Sequence, residues 1–548
     1  MSIRALSYLR LATVAAWAGL LLAVAGCATR GPLPADGEGQ LFARGFDEID
    51  DLYIEPVSNR RLALAAIERL TRLDGDLGVS DSSVAGALAL SYGGRGIGVF
   101  TMPDEANSRE WGELLAAVVT AAKDAAPRLA ALPQDTINEA VFDGMSAPLD
   151  RFSHYSPPKL ARAQRAARDG FGGIGVTLEA KSDIFRVTAV MSQGPADRAG
   201  IRPQDQIVAI DGVATLGRSY EEVARQLRGP VGSAVALSVL RPGAAQPGDL
   251  RLSRTLVIAP TVAVSHDSDI AVFHIGGFNR STTQRIADGL AQIRQQEGGH
   301  LAGIVLDLRS SPGGLLDQAV SLADLFIHDG PIVSTVGRHP ASHQYFAASG
   351  AGIVLETPLA VLINGGSASA AEILAAALQD VGRAVVIGSS SYGKGTVQTV
   401  LRLPNDGELT LTWARLITPS GYYLQTHGVV PTLCTADLGD DEQALEIGLQ
   451  RVAAGAAGGS LAAPRATLDE VAWSELRRSC PGRRTSPAID LKLAERILAD
   501  PKLYGAALHA LPGATTGATT GATTGATHLS ESAPALTGLN RALSSRPH

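Results

Sequence analysis

Between residues 250 and 432 short apolar runs of strand length alternate with longer runs of helical spacing. The strand-like runs are Ile270–Ile275, Gly303–Leu308, Leu359–Ile363 and Ala384–Ile387. The helical runs are Thr282–Gln295, Leu316–Phe326 and Ala370–Asp380. This alternation predicts an α/β layered core and constrains the chain more than any other feature.

The core is only part of the molecule. A chain of 548 residues is too long for one hydrophobic core and is expected to divide into two to four domains. Residues 41–165 carry helical periodicity, as in Leu62–Leu73 and Trp111–Leu132. A glycine-rich, strand-like stretch at Leu88–Met102 interrupts them without an evident role. Residues 168–245 turn β-rich, with Ile184–Val190 and Ala234–Leu240 separated by Gly and Pro turns. A core is expected over 250–435 and a helical region over 436–510, including Asp440–Ala453 and Ile489–Leu498. Residues 511–548, with three Gly-Ala-Thr-Thr repeats, are expected to be a disordered low-complexity tail.

The first 27 residues read as an export signal. Arg4 and Arg10 precede an apolar run from Leu11 to Ala25, shorter than a membrane span of about 20 residues. The run ends in Val24-Ala25-Gly26-Cys27, which resembles a lipobox and implies lipidation at Cys27. Ala28 follows, without the Asp of an inner-membrane signal, which points to the outer membrane. Residues 28–40, small and rich in Pro and Gly, are read as a tether. An oxidising compartment would let the remaining cysteines, Cys434 and Cys480, form a disulfide. No Cys/His cluster has zinc spacing, and the net charge of −7 argues against a nucleic-acid partner.

The segment GFGGIGV at 170–176 is followed by SQGPADRAGI at 192–201 and QDQIVAIDG at 204–212. This series resembles a PDZ domain, with Gln204 where glycine is usual. The resemblance implies capture of a peptide C-terminus by the loop Gly172, Gly173, Ile174 and Gly175. The peptide would add as a strand to a sheet edge. The resemblance also implies, for Arg228, a link between this domain and an active site elsewhere in the chain.

Chemistry is expected where the apolar strand Leu359–Ile363 runs into NGGSASAAEI at 364–373 and a helix begins. A serine there lies beside outward-pointing helix N–H groups that can stabilise an oxyanion. A second glycine turn, RSSPGG at 309–314, follows another strand. Further on comes GKGTVQ at 393–398. The chain has six lysines, and Lys394 is the only one between Lys181 and Lys492. Arginine cannot surrender its proton, so a lone lysine among arginines is a candidate base, provided burial keeps it neutral. Two blander readings compete. Ser369 with Glu372 forms an S-x-x-E capping box, so Ser369 could serve as a helix cap. The run Gly388 to Lys394 approaches a phosphate-binding loop, but Gly395 stands where Ser or Thr is needed, and a strand-like run follows. No G-x-S-x-G elbow occurs. His274, His343 and His427 are scattered and read as structural or solvated.

In fixed order these motifs, with TPSG at 418–421 and GVVP at 428–431, resemble the carboxyl-terminal processing peptidases, or tail-specific proteases. The resemblance covers roughly residues 40–505. It implies a multi-domain α/β protein: a helical N-terminal region, a β-rich PDZ domain with helices, a ClpP/crotonase-like α/β catalytic core, and a helical C-terminal region. It also implies Ser369 as nucleophile, Lys394 as general base and Gln398 as its aid. The oxyanion hole would use the N–H of Ala370 and of Gly313 or Gly314, with Gly314 preferred. It implies no cofactor and no metal. Partners would be protein or peptide substrates with accessible C-termini and, through Cys27, a membrane; an activating adaptor and a homo-oligomer stay open. Two departures are Ala371 for a usual serine and Tyr422 for a common arginine, the latter expected to alter substrate contacts. A catalytically silent, membrane-tethered PDZ scaffold and a crotonase-like thioester enzyme are the competing functions.

Overall fold

The computed structural model describes residues 37–509, except 84–85, 268, 297, 299–300, 351, 353, 355, 455–464 and 486. The signal at 1–27, Cys27, most of the tether and the tail lie outside the described residues. The tether expectation fails at its C-terminal end, because a helix already begins at Gly37 and runs to Leu52. Its apolar residues Leu41, Phe42, Phe46 and Ile49 recur at helical spacing and are buried.

The helices Gly37–Leu52, Asn59–Thr71, Ser108–Ala125 and Gln134–Ser146 share one core around Phe42, Phe46, Trp111 and Phe142. The helix expected over Trp111–Leu132 is interrupted near Pro127, where a separate short helix Pro127–Ala130 begins. The glycine-rich stretch belongs to a meander of Leu77–Asp81, Ala87–Tyr92 and Arg95–Thr101. Leu403, Leu409 and Leu411 from a distant hairpin complete this core, tying the N-terminal region to the rest of the chain.

The central sheet runs in the order Val262–Asp267, Ile270–Ile275, Gly303–Asp307, Leu359–Ile363, Val385–Gly388, Leu433–Cys434. The first pair is antiparallel and the others are parallel. Alternation along the strands divides the side chains between two layers. Ala271, Phe273, Ile304, Leu306, Val361 and Ile363 face the helices Thr282–Gln296, Leu316–Asp324 and Ala370–Asp380. Val272, Val305, Ala360, Leu362 and Ile387 face Glu442–Ala453, Ala488–Leu498 and Pro501–His509. With helices on both faces, the central strands are apolar along most of their length, polar His274 and Asp307 falling near the strand ends, which is why they read as apolar runs. Ligand sites in such sheets form at the carboxyl ends of the strands. The turns after Gly303–Asp307 and Leu359–Ile363 are at that end.

A second sheet orders Gln344–Ala347, Pro331–Val336, Glu408–Ile417 and Thr396–Arg402, with His154–Ser156 also paired to Glu408–Ile417. It places a strand of the N-terminal region on Glu408–Ile417, the strand that also pairs with the one carrying Gln398. The middle domain is a six-stranded sheet around Ile174, Phe185, Val187, Ile207 and Val235. It extends past residue 245: Gly248–Ser253 forms a hairpin with Ala234–Leu240, and Thr255–Val257 pairs with Phe171–Gly173. The expected core start at 250 therefore falls inside this sheet. Among the described residues no helix is long and apolar enough to cross a membrane.

Candidate active site

Strand Leu359–Ile363 is followed by a turn over residues 364–369, and the helix Ala370–Asp380 begins directly after it. The two serines of this turn differ physically. Ser367 is fully buried; its hydroxyl donates to the Leu308 carbonyl at 2.8 Å and accepts the Asn364 N–H at 2.9 Å. Both functions of that hydroxyl are thus occupied by the scaffold. Ser369 is half-buried and has φ 56° and ψ −117°. An ordinary N-cap residue is extended. A serine held at positive φ carries backbone strain that the surrounding structure must impose, a signature of functional turns.

The neighbouring glycine turn is joined to this one by Asn364. The Asn364 Oδ1 accepts the Ser310 N–H at 2.8 Å and the Gly366 N–H at 2.9 Å. The Ala368 N–H donates to the Ser311 carbonyl at 2.9 Å. Gly313 has φ +89°, and a Cβ there would meet the Ala368 oxygen at 2.5 Å and the Ala370 nitrogen at 2.7 Å. Only glycine permits this approach of the second turn to Ser369. Gly314 Cα faces Phe278 instead, where a Cβ would stand 2.1 Å from the carbonyl oxygen. Neither the Gly314 N–H nor the Ala370 N–H is hydrogen-bonded among the described residues. Both donors are therefore left unused by the protein's own acceptors.

Lys394 is carried on a loop between Val385–Gly388 and Thr396–Arg402. Its two glycine neighbours press on the 424–426 segment: a Cβ at Gly395 would lie 1.8 Å from the Gln425 nitrogen, and one at Gly393 3.0 Å from the Thr426 oxygen. Burial holds the Lys394 ammonium below the ordinary lysine value, while the carboxylates of Asp150 and Glu372 pull it back up. Among the described residues no hydrogen bond or ion pair reaches its amine, and none joins it to the Ser369 hydroxyl. The Phe152 ring centroid lies 5.0 Å from Nζ. Gln398 does not hold the amine. Its side-chain amide donates to Thr396 Oγ1 at 2.9 Å and Thr412 Oγ1 at 3.2 Å, because the extended strand turns it toward its cross-strand neighbour.

Glu372 joins the Ser369 turn and the Lys394 loop. Fully buried, it accepts the Ser369 N–H at 2.8 Å, the Gly393 N–H at 2.6 Å, the Lys394 N–H at 2.9 Å and the Ser391 hydroxyl. Burial pushes its carboxyl above the usual range, and the four donors oppose that shift. The S-x-x-E pattern had announced Glu372 as half of a helix cap; its reach to residue 394 had no local signal. Asp307 and Arg309 form a buried pair with Nη2 to Oδ2 at 2.8 Å, and Arg309 also reaches Asp490. Burial raises the Asp307 carboxyl, but Arg309 outweighs it and holds Asp307 below the carboxylate range. His274 lies 3.4 Å from Asp307, and His427 stacks on Trp473; neither is close-bonded to Ser369.

The C-terminal segment supports these loops from behind. Cys434 and Cys480 form a disulfide. Just before it, Arg477 donates to the His427 carbonyl and to the Ser391 carbonyl, the latter at 3.0 Å. Just after it, the Arg483 carbonyl accepts the Gly365 N–H at 2.6 Å, and the Arg483 N–H donates to Ser389 Oγ at 3.0 Å. Tyr422 belongs to this packing, not to a substrate surface: it is 4% exposed, its ring centroid lies 4.8 Å from Trp473, and its hydroxyl donates to the Gly428 carbonyl. The expected change in substrate contacts thus has no surface to act on. Ala371 is fully buried in the helix.

In the middle domain, Gly172 lets its strand lie against Gly229; a Cβ there would be 2.0 Å from the Gly229 oxygen. The Gly172 carbonyl accepts the Gly229 N–H at 3.0 Å. Gly173 pairs with Thr255, and Ile174 is buried in the domain core. Gly175 has φ +77°. The Arg228 guanidinium lies 4.2 Å over the Phe171 ring and makes no hydrogen bond or ion pair to the catalytic core among the described residues. Gln204 has φ +77°, which explains why glycine would suit that position. Among the described residues no group of His, Cys, Asp and Glu could hold a metal ion.

Comparison with known proteins gives two domain matches: peptidase family S41 over residues 269–434 and a PDZ domain over 186–241. The chain is 38% identical over 305 residues to a carboxy-terminal-processing protease of Bartonella bacilliformis, covering 55% of this chain and 70% of that protein. It is 34% identical over 282 residues to a carboxyl-terminal-processing protease of Synechocystis, covering 50% of this chain and 65% of that protein. Among solved structures, a photosystem II D1 C-terminal processing protease is 25% identical with a TM-score of 0.36, covering 72% of this chain and 92% of that chain.

Proposed function

The chain belongs to the carboxyl-terminal processing peptidases, and from that premise we propose that it is a serine endopeptidase working through Ser369 and Lys394. The observation that carries this reading is a half-buried lysine amine, with no hydrogen bond or ion pair among the described residues, whose loop shares the Glu372 carboxylate with a strained serine. Neutral Lys394 takes the Ser369 proton as the hydroxyl attacks the scissile carbonyl. The Ala370 and Gly314 N–H groups stabilise the tetrahedral oxyanion, at about 3–4 kcal/mol per donor. Protonated Lys394 then gives its proton to the leaving amine, and water resolves the acyl-enzyme. The Ser369 hydroxyl and the Lys394 amine must come within hydrogen-bond reach for the first transfer, as is common when substrate tightens a loose site.

In this reading the PDZ domain captures a substrate C-terminus on its Gly172–Gly175 turn and delivers the chain to Ser369. The protein is exported and held by a lipid on Cys27 at the periplasmic face of a membrane; Ala28 after that cysteine favours the outer membrane. A silent PDZ scaffold is the second reading, favoured by the unjoined Ser369 and Lys394 side chains. The test is cleavage of an unfolded protein with an apolar C-terminus by the mature protein and by Ser369→Ala and Lys394→Ala. Cleavage by wild type alone is expected. Persistent cleavage in both variants defeats the mechanism, and no cleavage by wild type favours the scaffold. Cys27→Ser is expected to release the protein from membranes; unchanged retention defeats the anchor.

A further inference from the structure

Lys394 is not enclosed by the catalytic core alone. The turn Asp150–Ser153 comes from the N-terminal region, outside both matched segments, and brings Phe152 to the amine. Several contacts fix this turn. Asp150 Oδ1 accepts the Phe152 N–H at 3.2 Å and the Ser153 N–H at 2.9 Å. The Asp150 N–H donates to the Tyr53 hydroxyl at 2.9 Å. Ser153 is buried, and its Oγ accepts the Thr412 N–H at 3.0 Å, docking the turn on the strand opposite Gln398. The half-buried Phe152 ring is therefore held in place by both regions.

We propose that Phe152 is a positioning residue that shields the Lys394 amine from water, so that the N-terminal region supplies part of the base's environment. This rests on the reading of Lys394 as the base. Two effects of the ring oppose each other. Its bulk removes water and disfavours the ammonium, whereas its π face favours a cation. The charged groups facing the amine are Asp150 on the turn and Glu372 on the helix, both of which favour the ammonium. The Arg151 guanidinium lies 4.7 Å from the centroid of the same Phe152 ring and 5.6 Å from that of Tyr392. Burial is the largest influence on Lys394, and comparison of Phe152→Ala with Phe152→Leu separates water exclusion from the π attraction.

The test follows the Lys394 Cε carbon by NMR titration in full-length mature protein with carbon-13 lysine. Six lysines make the spectrum sparse, and Lys394→Arg identifies the signal. The same variants give pH profiles of kcat/KM on a peptide. Phe152→Ala is expected to raise the Lys394 titration by about one pH unit and move the acid limb of kcat/KM with it. Phe152→Leu keeps apolar bulk without a π face and is expected to move both by less than half as much. An unchanged or lowered titration in Phe152→Ala overturns the proposal, whatever the activity. A raised titration with an unmoved acid limb supports shielding and rejects Lys394 as the base, so the two readings fail separately. Lower activity with no movement in either curve marks a merely structural ring and also overturns the proposal.

Discussion

The catalytic turns and the PDZ turn are both built from glycines at the ends of strands, yet they are held in different ways. Around Ser369 every loop is bonded from several directions: Asn364 binds two turns together, Glu372 collects four donors, and residues 477–485 close the back. In the PDZ domain the Phe171–Gly173 segment has a three-residue pairing with Thr255–Val257 and one hydrogen bond to Gly229. The difference fits the two tasks proposed for these regions. Attack on a carbonyl tolerates little displacement, since about 1 Å of misplacement can cost a hundredfold in rate. Capture of varied C-termini needs an edge that can adjust.

The sharpest way to break that comparison is Glu372→Ala. Four donors lose a buried acceptor, so kcat is expected to fall at least about a hundredfold and stability by about 3 kcal/mol or more. Steady-state kinetics and denaturant melts check this; unchanged kcat would mean the two loops hold their places without the carboxylate. Next is the paired variant Cys434→Ser with Cys480→Ser. Opening a loop with sequence separation 46 is expected to cost about 2–4 kcal/mol and to lower activity by loosening the Arg477 and Arg483 contacts. Reduction of wild type should reproduce both effects, and full activity after reduction would remove the C-terminal segment from the account of the site. The smallest effect on chemistry is expected from Gly172→Ala, which pushes the PDZ turn away from Gly229. KM for a protein substrate should rise while kcat on a short peptide stays near wild type. A fall in peptide kcat instead would mean that the PDZ turn is coupled to the chemistry.

Much of the fold was legible because its information is local. The apolar runs at Ile270–Ile275 and Leu359–Ile363 appear as strands with those bounds, and Ala370–Asp380 appears as a helix with its bounds. Boundaries failed where a later partner decided them: Gly248–Ser253 joins the PDZ sheet because Ala234–Leu240 offers it an edge. The helix start at Gly37 was obscured by small residues that resemble a linker until Leu41 and Phe42 find their core.

By itself the sequence determined where chemistry was to be sought: a serine turn at a strand's end, an isolated lysine between glycines, and a PDZ-like middle domain. Tertiary structure decided how those residues stand. It occupied the Ser367 hydroxyl and strained Ser369, turned Gln398 toward Thr412, and buried Tyr422 beneath Trp473. It also brought Phe152 to Lys394 across more than two hundred residues of chain. Turn chemistry and periodicity act over a few residues, whereas the neutrality of a lysine depends on everything that excludes water from it.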